Sequence, residues 1–576
     1  MSMSASHLKD LALKYAVKNA IDYGKASISS VLGKVLSKLS KEEKGDIKQI
    51  EADVTEIVKH VNSMGVAELG ALYKKYDSEF RAEEKVKVEA TSKPSMVLEG
   101  AESGSFATRY APEPNGFMHI GNAKAAILAA EFAKIYKGKI FLYFDDTNPE
   151  KEEQRFVDAI RSDSEWLGIQ FDGEYYASDS IDDVYKYAEQ AIRNGKAYVC
   201  TCTPEQMKAD RFHARECKHR SQSVEENLQL FEAMLSGKFE EGAAVLRLKG
   251  DMKSQNTVMR DPTIMRVKKH AHYRQGNKYI VWPTYDFNTP IMDSLHGITD
   301  AIRSKEYELR NELYYAVLDA IGLRKPRMHL EARLVIKNNV THKRELRALI
   351  SEGKLSGYDD PRLVTIAALR RRGIQPEAIK RFVLRFGMSM VDSVVSIDML
   401  MSENKSIIDP IAKRFFYVEN PVKLIVSNAQ SQSVSLRMHP VSDMGSRSYT
   451  VGDTFYISSS DSALSDGETI RLKDLYSIKI VSHTSSAISA ERIGEGAHAK
   501  KLQWVSEGNF VKCDITVPGN PLNDDGSFNE NSLQHSHGYI ESAAASLSKG
   551  SIVQLERYGY CIVDETKNMG FILISK

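Results

Sequence analysis

The chain has 576 residues, 42% of them hydrophobic and 27% charged, which is ordinary globular usage and excludes a disordered or fibrous protein. Lysine and arginine number 78 against 77 aspartates and glutamates, so bulk charge points to no nucleic acid and any basic surface must be local. There is no uncharged apolar run of about 18 residues, the length that spans a membrane, the start of the chain lacks the layout of a secretory signal, and five cysteines are too few for a disulfide framework; the expected location is the cytoplasm.

Leu8, Leu11, Ala12, Tyr15 and Ala16 recur at helical spacing, and so do Ile47, Ile50, Val54, Ile57, Val58 and Val61. Residues 1–92 therefore read as a helical N-terminal extension with its apolar faces turned inward. Small polar residues, among them Ser92, Pro94, Ser95, Gly100 and Gly104, mark a linker at 93–104. Phe106–Tyr110 reads as a strand, Ile120–Tyr136 as a helix and Ile140–Phe144 as a strand, a βαβ crossover that predicts parallel strands. Tyr279–Trp282 and Ile298–Ile302 are further strand candidates and Leu309–Ile321 a helix. An α/β nucleotide-binding core at 105–199 and 271–330, split by an insertion at 200–270, fits this order. Pro361–Phe386 is helical and basic, with Arg370, Arg371 and Arg372 adjacent. From about 406 onward, short β-rich runs (Val422–Val426, Tyr449–Ile457, Thr469–Leu472, Ile478–Val481, Ile552–Leu555) alternate with Gly, Asn, Asp and Pro, the texture of a sandwich or barrel; Ser458–Ser465 reads as a loop.

The string from Arg109 to Asn122, Arg-Tyr-Ala-Pro-Glu-Pro-Asn-Gly-Phe-Met-His-Ile-Gly-Asn, carries the most chemistry. Its prolines and glycine force a rigid loop between strand and helix. His119 and Gly121 then fall at the helix start, where free N–H groups suit a phosphate. Gly121 allows close approach to the backbone, and His119 can donate to charge developing on a phosphate. Separately, Cys200-x-Cys202 and Cys217-x-His219 frame one loop with three sulfurs and an imidazole, a set that suits a closed, tetrahedral, structural Zn²⁺. Lys208, Arg211, Arg215, Lys218 and Arg220 make that loop basic, while Cys513 and Cys561 read as core residues.

The Arg109–Asn122 string resembles the first nucleotide-binding motif of the class I aminoacyl-tRNA synthetases, in the form used by the glutamyl and glutaminyl enzymes. Further matches follow in the family's order: Leu142–Pro149, Ser223–Leu228, Met259–Pro262, Trp282–Phe287, Gly297–Arg303, Asp359–Arg362 and Leu369–Gly373. The resemblance runs from about residue 105 to the C-terminus; residues 1–90 are similar, more loosely, to the helical extension of the archaeal glutamyl enzymes.

The resemblance implies a multidomain α/β protein: a Rossmann-like catalytic core, an acceptor-binding insertion bearing the zinc, a second ATP motif with stem-contact helices at 331–405, and anticodon-binding β-barrels at 406–576. It implies activation of L-glutamate by ATP, with Mg²⁺ borne by the substrate, and transfer to tRNA(Glu), with tRNA(Gln) a further acceptor left open, with release of AMP and diphosphate. Pro112, Glu113, Pro114, Asn115, Gly116, His119, Ile120, Gly121 and Asn122 would meet ATP, with His119, Gly121, Asn122, Lys343 and Arg344 catalytic. Arg109, Ala111, Asp145, Tyr285, Thr289 and Arg303 would hold the amino acid. Arg303 follows the Gly-Ile-Thr strand where the glutaminyl enzymes carry an uncharged residue, and a guanidinium there suits a substrate carboxylate. The alternatives are a glutamine ligase and a non-catalytic tRNA-binding relative. The chain departs from the family pattern at Tyr143, where arginine is usual, and in Thr341-His-Lys-Arg-Glu-Leu346, where His342 and Glu345 replace serine and lysine. Arg447, Arg471, Lys473, Arg557 and Tyr558 are candidate anticodon contacts.

Overall fold

In this computed structural model the residues described are 5–38, 47–65, 68–76, 96–494 and 500–576. The chain divides into two compact units, Met1–Lys93 and Pro94–Lys576.

The first unit holds the helices Ala5–Tyr23, Ile28–Lys38 and Ile47–Ser63. Leu8, Ala12, Tyr15, Ala16, Val54, Val58 and Val61 form its buried core, the faces expected from the spacing; the side chain of Ile47 lies outside the described residues. Asn62 staples the bundle, accepting from the Ala26 N–H at 2.7 Å and donating to the Ala26 carbonyl at 3.0 Å.

In the second unit, Ala107–Tyr110, Lys139–Phe144 and Gly173–Tyr176 pair in parallel, with Arg109 opposite Phe141 and Phe141 opposite Gly173. The helix Ile120–Ile135 makes the first crossover, and its apolar faces (Ile120, Ile127, Leu128, Phe132) pack into the main core. Asp300–Ser304 and Arg327–Glu331 pair in parallel beside this sheet, where the Thr299 N–H donates to the Ala107 carbonyl at 2.9 Å. The expected parallel nucleotide-binding core is therefore present. The expected linker at 93–104 lies partly outside the described residues; within the rest, Leu98 is buried and its N–H donates to the Tyr136 hydroxyl at 2.8 Å.

One strand belongs elsewhere than expected. Val281–Pro283 joins Ala197–Cys200, Val245–Leu248 and Thr263–Val267 in a four-stranded antiparallel sheet. The insertion thus begins before residue 200 and returns through Val281–Pro283, which runs directly into the helix Tyr285–Leu295. A three-residue apolar strand carries no signal that distinguishes a parallel core from an antiparallel edge.

The basic stretch after Pro361 forms two short helices, Ile366–Arg371 and Pro376–Leu384. Two seven-stranded sheets then follow, one running from Lys413–Phe415 to Tyr417–Glu419 at its edges and one from Lys500–Leu502 to Val505–Ser506, each around its own core. The run Tyr449–Ile457 is two strands, Ser446–Val451 and Thr454–Ser458, turned at Gly452 and Asp453. Ser459–Asp461 within the expected loop makes one turn of 3₁₀ helix. Cys513 and Cys561 are buried in the first of these sheets, as expected.

Candidate active site

A cleft of about 500 Å³ opens at the carboxyl ends of the parallel strands. Arg109, Ala111, Pro112, Glu113, His119, Gly121, Asn122, Tyr285, Arg303 and Lys343 line it, drawing both halves of the core and both motif loops together. Asn115 and Gly116 line a smaller pocket beside it, shared with His119 and Lys343. Pro114 and Ile120 are buried supports, and Asp145, Thr289 and Arg344 stand outside the lining.

The first motif loop is held at both ends: the Asp145 N–H donates to the Pro112 carbonyl at 3.1 Å and the Glu153 N–H to the Pro114 carbonyl at 3.2 Å. His119 caps the helix, its Nδ1 accepting from the Gly121 N–H at 3.1 Å while Asn122 Oδ1 accepts from the His119 N–H at 3.3 Å. Acceptance at Nδ1 fixes the tautomer with hydrogen on Nε2. Burial, and then the charge of Lys343, pull the imidazole down to about 4, so it is neutral near pH 7. Gly121 does more than open the backbone: a Cβ there would fall 2.8 Å from His119 Cε1.

The second motif loop docks onto the first. Lys343 donates to Asn115 Oδ1, Arg347 donates to the Asn115 carbonyl at 2.6 Å, and Lys343 lies 3.2 Å from where a Cβ on Gly116 would be. Burial, then the neighbouring Arg347, lowers the Lys343 ammonium, while Glu113 opposes the shift. Arg344, expected to be catalytic, is exposed on the helix Lys343–Ser351 and lines neither pocket; Arg347 is exposed as well, but its guanidinium reaches the Asn115 carbonyl and the smaller pocket. The signal was available, because Arg347 follows Lys343 by one helical turn.

At the other end, Arg303 is buried and makes no ion pair within 4 Å among the described residues. Its guanidinium lies 4.9, 5.3 and 5.5 Å from the ring centroids of Tyr307, Tyr285 and Tyr314, and its Nε has no hydrogen-bond partner. The surface ion-pair role that competes with substrate binding is thus absent. Arg109 contrasts with it: Nε and Nη2 donate to Asp293 at 2.7 and 3.1 Å and Nη1 to the Ile302 carbonyl at 3.0 Å. Tyr314 also donates to Asp293 at 2.9 Å, so that carboxylate is fully engaged and does not neutralise Arg303.

Asp145 sits behind the lining, and burial with the nearby Glu113 and Asp146 carboxylates raises it to about 7. Asp146 accepts from the Ser178 N–H at 2.8 Å and its hydroxyl at 2.7 Å, bracing the strand end. Thr289 is buried with an unpaired hydroxyl. Tyr143 takes the place of the family's arginine as a buried neutral group that accepts from Asn288 at 2.8 Å. Composition gave no sign of the ion pair between Lys124 and Glu331, 3.1 Å apart in the cleft wall.

Cys200, Cys202, Cys217 and His219 converge: all four ligand atoms lie within 4.8 Å of one another. The Cys200–Cys217 and Cys202–Cys217 sulfurs are 3.6 and 3.5 Å apart and His219 Nδ1 is 3.3 Å from Cys217 Sγ. Tetrahedral bonds of about 2.3 Å would place sulfurs about 3.8 Å apart, so the set fits a metal ion. His219 Nε2 meets the Thr201 hydroxyl at 3.2 Å, which orients Nδ1 inward, and buried Arg247 lies 3.9 Å from Cys200 Sγ, a cation suited to a thiolate cluster. Of the candidate anticodon contacts, Arg447 is buried on Glu541, Lys473 pairs with Glu556, and Arg557 pairs with Asp461 at 2.8 Å; these serve the β-fold itself.

The cleft, two facing motif loops and a split parallel sheet are the parts of an α/β nucleotide-binding core. The family described as "tRNA synthetases class I (E and Q), catalytic domain" matches residues 105–409, and its anti-codon binding domains match 412–495 and 501–564. The chain belongs to this family. It is 40% identical to the glutamate–tRNA ligase of Nitrosopumilus maritimus, covering 96% of each chain, and 38% identical to that of Pyrococcus furiosus, covering 98% of this chain and 99% of the relative. A crystal structure of a glutamate tRNA ligase from Elizabethkingia meningosepticum aligns with a TM-score of 0.41 at 20% identity, covering 53% of this chain and 70% of that one.

Proposed function

We propose that the chain ligates L-glutamate to tRNA(Glu) through a glutamyl-adenylate. The observation that carries this is Arg303: a buried guanidinium, caged by three tyrosines, without a carboxylate of its own among the described residues. A cation so placed is stabilised by a substrate carboxylate, which offers it two charged acceptor oxygens, whereas an amide offers one neutral carbonyl acceptor and puts an NH2 donor in the other place. The two relatives named above support the same substrate.

In the first step a carboxylate oxygen of glutamate attacks the α-phosphorus of ATP and diphosphate leaves with its Mg²⁺. A ribose hydroxyl of the terminal adenosine then displaces AMP. Neutral His119 donates from Nε2–H to the phosphate, and Lys343, with Arg347 beside it, offsets charge on the leaving diphosphate. Pro112, Glu113, Gly121 and Asn122 shape the nucleotide side, with Asn115 and Gly116 seating Lys343. Tyr285 and Ala111 border the amino acid. Arg109 keeps Asp293 from Arg303, and Asp145 takes the α-ammonium in its ionised form, which a neighbouring cation favours.

Residues 105–196 and 284–330 serve as the catalytic halves, 197–283 as the acceptor-binding insertion, 331–405 as the second motif and stem contact, and 406–576 as the anticodon reader. Cys200, Cys202, Cys217 and His219 hold one structural Zn²⁺ that fixes the insertion's basic loop. Among the described residues no helix is long and apolar enough to cross a membrane, and we place the enzyme in the cytoplasm. The test is charging of total tRNA with labelled glutamate and, separately, glutamine. Glutamate alone should be charged; charging with glutamine, or none at all, overturns the reading.

A further inference from the structure

The strands Phe510–Pro518 and Leu533–Glu541 are joined by a long connection, residues 519–532. Hairpin loops commonly need about two to five residues, and this one has fourteen. It is folded on itself, with Leu522 bridged to Phe528 and the Asn523 N–H donating to the Ser527 carbonyl at 2.9 Å.

Its tip lies against the second motif loop. The Leu522 N–H donates to the Asn338 carbonyl at 3.2 Å, Asn338 Nδ2 donates to Asp524 at 2.9 Å, and Lys337 Nζ is 3.0 Å from Asp524. At the base, buried Arg362 donates to the Ser532 hydroxyl at 3.1 Å and lies 5.7 Å over the Phe528 ring. Leu522 and Phe528 pack on a small core of Val340, Leu346, Leu349, Leu355 and Leu363, apart from the core of their own sheet. Val340 and Leu346 also line the pocket in which Lys343 meets Asn115 and His119.

We propose that Leu522 and Phe528 are positioning residues for the ligation reaction: the connection is a strut that sets Lys343 against Asn115 and His119. The helix Lys343–Ser351 has nine residues, too few to hold itself in water, so its place comes from the packing of Leu346 and Leu349. Leu522 and Phe528 complete that packing. The Lys337–Asp524 pair is exposed and adds little. The strut rises from the region matched by an anti-codon binding domain, so one segment joins that sheet to the small core on which Lys343 is set. The proposal rests on the function given above.

The experiment uses the full chain carrying Leu522→Ala, Phe528→Ala or the conservative Leu522→Met. Misplacing a reacting group by about 1 Å costs on the order of 100-fold, so partial loosening should lower kcat for charging by roughly 10-fold and raise KM for ATP, with KM for tRNA unchanged. Hydrogen exchange of residues 337–349, read without substrates, should quicken in both alanine variants while the melting temperature stays near wild type. Leu522→Met should restore both readouts. Wild-type exchange at 337–349 overturns the strut, whatever the activity. An equal loss in every kinetic constant together with a fall in melting temperature also overturns it, since that marks a merely structural role. A wild-type chain that charges no tRNA with glutamate would overturn the function itself, and the positioning role with it.

Discussion

A Cβ on Gly121 would fall 2.8 Å from Cε1 of His119 and 3.0 Å from its Nδ1. The imidazole therefore lies flat over the first turn of its own helix, and only glycine leaves room for it. Gly121→Ala should push the ring away from the phosphate position and break its bond to the Gly121 N–H. Alanine is the better helix former by about 1 kcal/mol, which offsets the lost cap, so the melting temperature should hardly move. Charging should fall on the order of 100-fold, as expected for a displaced catalytic group. Steady-state kinetics beside a thermal melt check this; full activity would mean the ring has another resting place.

Arg303→Ala removes the guanidinium that lies over the rings of Tyr285, Tyr307 and Tyr314. A charge-assisted hydrogen bond contributes about 1.5–3 kcal/mol, so kcat/KM for glutamate should drop roughly 10- to 150-fold, and the gap to glutamine should narrow. KM for ATP should change far less. An unchanged preference for glutamate, with a lower melting temperature, would make Arg303 a brace rather than a specificity residue.

His119 should titrate near 4, followed by its ring proton resonances. Burial is the larger cause and Lys343 the next, so Lys343→Gln should move the titration upward. The sign for stability follows: the folded value lies below the ordinary 6.5, so the unfolded chain binds more protons between about 4 and 6.5. This histidine's contribution is complete above 6.5 and is lost as pH falls toward 4. A wild-type titration at 6.5 would contradict the buried, cation-flanked setting.

Cys217 lies within 3.6 Å of two sulfurs and nearest to the His219 nitrogen. Cys217→Ser should release the metal, measurable by elemental analysis. It should lower tRNA charging more than ATP binding, because the ligands belong to the insertion and not to the cleft lining. A wild-type chain purified without chelator and free of zinc would count against the assignment.

Amino-acid activation should depend on tRNA. The insertion's last strand, Val281–Pro283, is followed by Thr284 and then Tyr285, a wall of the amino-acid end. An acceptor strand gripping the insertion therefore acts on the pocket through two covalent links. Glutamate-dependent pyrophosphate exchange should be weak without tRNA and strong with it; full exchange without tRNA would refute the dependence.

Much of this was readable before any coordinates. The βαβ unit announced itself because an Ala-rich helix between two apolar strands admits one arrangement, and the Cys and His pairs framed their own loop. Arg303 was found from the resemblance of Gly297–Arg303 to a motif of the glutamyl enzymes, together with its place after a strand. Other features are products of tertiary packing and leave no local pattern. Asp293, lying within a helix, captures Arg109 across 184 positions of sequence. Arg344 and Arg347 differ only in which way a helix face turns, and that is set by Leu346 and Leu349 finding their core. Val281–Pro283 is too short for periodicity to reveal which sheet it joins.

That same strand bears on how the enzyme could be rebuilt. Exchange of the insertion with a relative's at residues 200 and 270 would sever an antiparallel ladder, leaving Val281, Trp282 and Pro283 to pair with foreign neighbours at Met265, Arg266 and Val267. Trp282 is completely buried, and a misfit there would be passed straight to the helix that opens with Tyr285. Chimeras cut before Ala197 and after Pro283 would carry the whole sheet as one cassette and leave the glutamate pocket's wall untouched.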